Sequence, residues 1–270
     1  MKTIIVATDF SAEAENATQY IATAVAGKDY RIVLYHLYNT SIHAQNARLS
    51  AGEIDKMFQA KKTKVNEKAA VINEKYKVEV LSHVVPGNFY DELINSIQKY
   101  DAELVVMGMA ERSIEQDLLG NTTTAAISML KFPVLSIPLG AEYKGIKHIL
   151  FACDIIRGVH KMILDRVREV ASDYKATVEV FHIREKSEEI AQSEEHNSTM
   201  EETLSDVHHT YKNVQSSEII KAIRDEIEAS QTDLLVMVPY KYGFWDSMVH
   251  KSKTRAMASG NKVPLLSLPL

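Results

Sequence analysis

The 270-residue chain is 46% hydrophobic and 25% charged, with a formal net charge of -5 and a sequence pI near 6.1. This is the composition of a folded globular protein rather than a disordered one, and its negative field disfavours nucleic acid as a partner. A single cysteine, Cys153, excludes an internal disulfide, and no stretch approaches the roughly 18 apolar residues of a membrane span.

In chain order, IIVAT is a first predicted strand and SAEAENATQYIATAV a first helix. IVLYHLY, the long helical stretch AGEIDKMFQAKKTKVNEKAAVINEKY, VEVLSHVV and FYDELINSIQKY continue the alternation. ELVVMGM, TTTAAISML and VLSIPL complete five strands and four helices. Strands apolar on both faces, each followed by an amphipathic helix, predict a doubly wound α/β domain with a parallel sheet covered on both sides. The opening MKTIIVATDFS has an apolar run that stops at Asp9, so no secretory leader is expected and a cytoplasmic location follows.

The same unit is then written again. TIIVATDF (3–10) pairs with HILFACDI (148–155) and RIVLYHLYN (31–39) with TVEVFHIRE (177–185). AELVVMGM (102–109) pairs with TDLLVMVP (232–239), and FPVLSIPL (132–139) with VPLLSLPL (263–270). Such self-similarity predicts two tandem domains, 1–142 and 143–270, with GAEYKG (140–145) between them. The linker is short enough that the domains should touch. The second copy is shorter after its second strand, where EKSEEIAQSEEHNSTMEETLSD (185–206) reads as a solvated acidic excursion.

In an open parallel sheet, ligands bind beyond the carboxyl ends of the strands where the strand order reverses. Asp9 after the first strand, Pro86-Gly87 after the third and Gly108 at the end of the fourth converge on that edge in copy one. Gly120 then opens the last helix, with Asn121, Thr122 and Thr123 in its first turn. Free N–H groups and hydroxyls at such a helix start suit a phosphate. Asp9 repels phosphate and is suited instead to accept hydrogen bonds from a ribose or an adenine edge. The alternative for Asp9-Phe10-Ser11 is a plain helix N-cap, and Gly120 can equally be a simple turn.

The tandem copies, ATDFS, LYHLY, the glycine after strand four and LLGNTT resemble the universal stress protein (UspA-like) family over both copies. The resemblance implies Rossmann-like five-stranded parallel sheets of order 3-2-1-4-5, and dimers or tandem pseudo-dimers joined through the fifth strands. It also implies ATP binding in some members, through a G-2x-G-9x-G-S/T signature. In copy one Gly108 supplies the first glycine, Glu111 stands at the second, eight residues intervene, and Gly120 precedes Asn121. In copy two Val238, Lys241 and Lys251-Ser252 replace the motif, Gln215-Ser216 replace Pro86-Gly87, and only Asp154 matches Asp9.

By this resemblance a nucleotide site in domain 1 comprises Ala7, Asp9, Leu37, Gly87, Met107, Gly108, Gly120, Asn121, Thr122 and Thr123, with Leu37 and Met107 toward adenine. ATP with Mg²⁺ is the implied cofactor there, and none is implied in domain 2. Arg112 or Mg²⁺ would offset Glu111. The expected partners are the intramolecular pseudo-dimer, a homodimer and the adenine nucleotide, with no nucleic acid and no membrane.

Other chemistry lacks a sequence basis. The ten histidines show no metal-ligand spacing; His36 and His182 occupy equivalent strand positions, which marks a fold requirement. Cys153 reads as a buried thiol without a base, and neither GxxxxGK[ST] nor GxGxxG follows the first strand. Phe244, Trp245 and Met248 in FWDSM read as a domain or partner contact, with a lid or an exposed apolar patch as the alternatives. The reading is a stress-response binding or signalling module that is not primarily an enzyme. A slow ATP hydrolase using Glu111 or Asp9, and a ligand-free scaffold, remain its rivals.

Overall fold

The computed structural model describes residues 1–38, 50–109, 122–155, 159–184, 199–238 and 263–269. It divides into two compact units, Met1–Gly108 and Met109–Leu270. Among the described residues no helix is long and apolar enough to cross a membrane.

The first unit is built on β1 (Lys2–Ala7), β2 (Tyr30–Tyr38), β3 (Glu79–Pro86) and β4 (Ala102–Met109), in the order β3-β2-β1-β4. All neighbours are parallel. Ile4 to Ala7 are buried on both faces of the sheet, whereas β3 at the margin is half-exposed along its length. The run of consecutive apolar residues in β1 is therefore the sequence trace of a strand with helices on both sides.

Three helices cover this sheet. In α1 (Ala12–Val25), Ser11 is the N-cap, accepting from the Ala14 N–H, and Glu13 and Glu15 complement the helix start. Its buried stripe runs Ala14, Ala17, Ile21, Ala24, Val25. In α2 (Ala51–Tyr76), Ser50 and Glu53 form a reciprocal capping box, and Lys77 in the left-handed region ends the helix. Val65, Ala69 and Ile72 carry the packing face of α2. Asn88 caps α3 (Phe89–Tyr100) by accepting from the Tyr90 and Asp91 N–H groups. The φ of +135° at Gly87, just before that cap, is one that residues with a Cβ avoid.

The second unit contains α4 (Thr122–Met129), β5 (Val134–Pro138), β6 (His148–Ala152), α5 (Lys161–Tyr174) and β7 (Thr177–Arg184). It continues with β8 (His209–Gln215), α6 (Ile219–Ala229), β9 (Leu234–Met237) and β10 (Leu265–Ser267). Its strand order is β5-β10-β9-β6-β7-β8, parallel except for the antiparallel pair β5–β10. Strands β8-β7-β6-β9-β10 reproduce the order 3-2-1-4-5 in the second repeat, and β3-β2-β1-β4 reproduce it through the fourth strand of the first. The fold is Rossmann-like and doubly wound, as the sequence predicts. Because β5 closes the first sequence repeat yet pairs with β10, the compact units and the repeats are not coextensive.

The core of the second unit joins Leu150, Phe181, Ile223, Leu235, Met237 and Leu265. Glu226 of α6 is also buried there, at 7% exposure. Lys212 of β8 reaches its Oε2 at 2.6 Å. Burial first, and then the adjoining Glu226 carboxylate, raise the Glu179 carboxyl of β7 above its ordinary value, with Lys212 opposing them. At the end of the acidic excursion, Met200 and Leu204 are buried. Residues 185–198 of that excursion lie outside the described residues.

Candidate functional site

Strand β1 lies between β2 and β4, and the chain leaves it toward β2 but returns to β4 from β3 on the opposite side. The strand order reverses at the β1–β4 boundary, the place where open parallel sheets take their ligands. Ala7 is in register with Tyr35, and Val6 with Val106, so Met107 and Gly108 end β4 beside the end of β1. Leu37, half-buried near the end of β2, is in register with Val85, one residue before Pro86 and two before Gly87. Ala7, Asp9, Leu37, Gly87, Met107 and Gly108 thus all lie at the carboxyl ends of the four strands of the first unit.

The loop after β1 is held by its own polar atoms. The Phe10 N–H donates to Thr8 Oγ1 at 3.2 Å, and the Ser11 N–H donates to Asp9 Oδ1 at 2.9 Å. Asp9 is exposed at the edge. Burial raises its carboxyl, but the Ser11 hydrogen bonds and nearby backbone donors together outweigh burial and hold it below the usual carboxylate range. Asp9 is therefore an anionic acceptor at neutral pH, and Ser11 rather than Asp9 caps α1.

Gly108 has a different reason to be glycine from the one its motif position suggests. A Cβ there would stand 2.3 Å from the Glu13 carbonyl carbon and oxygen and 2.7 Å from the Ala14 nitrogen. The first turn of α1 occupies the space, so the missing side chain is a packing requirement. In the second repeat Val238 at this position is fully buried. There α5 begins at Lys161, seven residues after Asp154, whereas α1 begins at Ala12, three after Asp9. The two repeats therefore differ both in the residue at this position and in where the following helix begins.

Of the phosphate-end residues, Thr122 opens α4 and Thr123 is buried in it. Gly120 and Asn121, like Glu111, Arg112, Lys241, Phe244, Trp245, Met248, Lys251 and Ser252, lie outside the described residues.

Two groups beside Asp9 carry more of the local chemistry than the sequence reading assigns them. Phe10, half-exposed, is held at φ +68°, a left-handed conformation that non-glycine residues rarely adopt. Its ring lies 4.9 Å from the imidazole of His36, which is 7% exposed. The Thr8 carbonyl, 2.7 Å from His36 Nδ1, can only accept, so Nδ1 carries the proton. Burial is the main cause lowering the His36 pKa, helped by Lys61 and Lys64 and opposed by the Thr8 bond and Asp9. The signal for the lysines was present in AKKTKVNEK, where positions 61, 64 and 68 fall on one helical face.

His36 gives a pH prediction with a definite sign. Its folded-state value is depressed below 6.5, so its contribution to stability is present above about pH 6.5 and lost as pH falls through the folded value. His83, lowered chiefly by burial, acts in the same direction. Urea midpoints should fall from pH 7.5 to pH 5.5, by at most about 1.4 kcal/mol per pH unit for each histidine. His36→Gln should flatten that dependence; an unchanged slope would remove His36 from the account.

In the second repeat His182 Nδ1 lies 3.2 Å from the Cys153 carbonyl, matching the His36–Thr8 contact. Cys153 is buried, and burial with the Asp154 charge pushes its thiol well above the ordinary range. It is a core thiol and not a nucleophile. Among the described residues no group of three or more His, Cys, Asp or Glu side chains is placed to hold a metal ion.

Residues 1–138 match the sequence profile of the Universal stress protein family. The chain belongs to the universal stress protein family. A universal stress protein from Archaeoglobus fulgidus DSM 4304 superimposes with a TM-score of 0.77 at 16% identity, covering 99% of this chain and 96% of that one. A functionally unknown protein from Pseudomonas aeruginosa PAO1 gives a TM-score of 0.60 at 12% identity, over 100% and 92%. An Arabidopsis thaliana universal stress protein family protein with AMP bound is 18% identical over 52% of this chain and 94% of that one, with a TM-score of 0.38. No curated protein matches the chain significantly. For this universal stress protein the likenesses establish the fold, and the site rests on its own residues.

Proposed function

We propose that this universal stress protein is a stress-response binding module that takes an adenine nucleotide at the carboxyl edge of its first unit. The observation that carries the reading is the juxtaposition, at the β1–β4 reversal, of Ala7, Asp9 and Met107 with Leu37 at the neighbouring end of β2. Backbone groups of Ala7, Leu37 and Met107 serve the adenine, and the Asp9 carboxylate accepts from a ribose hydroxyl or the adenine edge. Gly87 holds the turn that lets Asn88 cap α3 at the rim.

The phosphate end is proposed from the motif, at Gly108, Gly120, Asn121 and Thr122, with Thr123 contributing backbone rather than its buried hydroxyl. Mg²⁺ is proposed only as the counter-ion that nucleotide phosphates carry. The contrast between Gly87, held at a positive φ, and Ser216 supports assigning the nucleotide to the first repeat, within proposed domains 1–142 and 143–270. The antiparallel pairing of β5 with β10 supports a tandem pseudo-dimer built through the fifth strands. A further homodimer and a cytoplasmic location remain part of this proposal.

Calorimetry with ATP and Mg²⁺ tests it. Heat of binding below about 1 mM nucleotide is expected, with Asp9→Ala weakening adenosine, AMP and ATP about tenfold alike. Absence of heat with all three ligands at about 1 mM would favour a ligand-free scaffold.

A further inference from the structure

We propose that Lys61 and Lys64 of α2, converging on the Phe10 ring beside His36 and Asp9, form a subsite for a phosphate-type oxyanion at the edge of the first unit. The ammonium of Lys64 lies 4.1 Å from the Phe10 ring centroid, that of Lys61 5.5 Å and that of Lys68 5.7 Å. Three like charges thus gather around one ring in a chain whose net charge is negative. Lys68 is ion-paired with Glu15. Lys61 and Lys64, both exposed, have no carboxylate partner among the described residues. Cation–π attraction to a phenylalanine face is weak at an exposed site and does not remove the repulsion between neighbouring ammoniums. An oxyanion lodged between them does.

The backbone gives an independent reason to regard the arrangement as built. Phe10 is kept half-exposed in a left-handed conformation, and the Thr8 hydroxyl fixes its N–H. Conformational strain of this kind concentrates at binding and catalytic sites. At the matching position of the second repeat stands Ile155, 5% exposed and outside the positive-φ residues. The fold therefore does not itself demand an exposed, strained aromatic after the first strand. The groups facing the subsite also include the Asp9 carboxylate, which opposes an anion, and His36, neutral at pH 7 because burial and these same lysines lower its pKa. Two unpaired ammoniums against one carboxylate leave the balance positive.

This subsite goes beyond adenine recognition, because it is read from lysines on α2 and not from the glycine motif. It selects ligands by phosphate charge, so polyphosphorylated nucleotides should be favoured over the nucleoside. The test is titration of the full chain with inorganic tripolyphosphate, with adenosine and with ATP, followed by calorimetry or by NMR of lysine side chains. Wild type should bind tripolyphosphate, and Lys61→Gln/Lys64→Gln should weaken both tripolyphosphate and ATP at least tenfold while leaving adenosine unchanged. Lys61→Arg/Lys64→Arg should retain binding, and added salt should weaken it. Glutamine keeps helix propensity at these exposed positions, and a circular dichroism spectrum and urea midpoint matching wild type verify the fold. No tripolyphosphate binding, or binding unaffected by the double glutamine variant, overturns the subsite even where adenosine binds. Tripolyphosphate binding without adenosine binding retains the subsite and rejects the adenine reading.

Discussion

Gly108→Ala should destabilise the first unit by about 3 kcal/mol or more, measured as a shift in the urea midpoint at constant slope. The added methyl would sit 2.3 Å from the Glu13 carbonyl, and the obstacle is helical backbone, which cannot rotate aside as a side chain can. Either α1 lifts from β4, exposing the face of Ala14, Ala17 and Ile21, or β4 shifts against β1. Both disturb the centre of the first unit. This result would separate two explanations for a glycine at the end of the fourth strand, since a phosphate cradle predicts lost binding with little lost stability. A variant as stable as wild type would show that α1 yields easily and would return Gly108 to a purely ligand-directed role.

Lys212→Met is expected to cost about 2 kcal/mol in the second unit. Glu226 is buried against the sheet, and the Lys212 ammonium at 2.6 Å is its cationic partner. Glu179 lies beside the pair with Oε1 buried and without a hydrogen-bond partner, so removing the ammonium leaves two carboxyl groups facing each other. The figure lies below that for a fully buried pair because the Lys212 side chain is 46% exposed. Lys212→Met/Glu226→Gln should recover more than half of the loss, because it deletes the stranded charge along with its partner. A single variant within about 0.5 kcal/mol of wild type would mean that water replaces the ammonium at Glu226.

The architecture was legible because periodicity and repetition report burial directly. TIIVA reads as a strand covered on both faces, and the match of HILFACDI to TIIVATDF places a second first-strand 145 residues later. The candidate edge was legible in part. Asp9, Leu37, Gly87, Met107 and Gly108 do come to one edge, because residues at strand ends are brought together by topology alone.

The purpose of Gly108 was not readable, since glycine required by an approaching helix and glycine required by a phosphate look alike in a sequence. Nor was the gathering of Lys61, Lys64 and Lys68 at Phe10, which depends on the distance between α2 and the end of β1, elements separated by some forty residues of chain. Glu226 illustrates the same limit. In IIKAIRDEIEA it resembles one more surface charge, and only the packing of α6 against β7 and β8 turns it inward.

The most direct measurement of the central claim is a crystal structure of the full chain grown with ATP and Mg²⁺. The account predicts adenine density against the backbone of Ala7, Leu37 and Met107 and the ribose within hydrogen-bonding distance of Asp9, in the first unit. Nucleotide seated beside Asp154 while the Asp9 edge stays empty would contradict it.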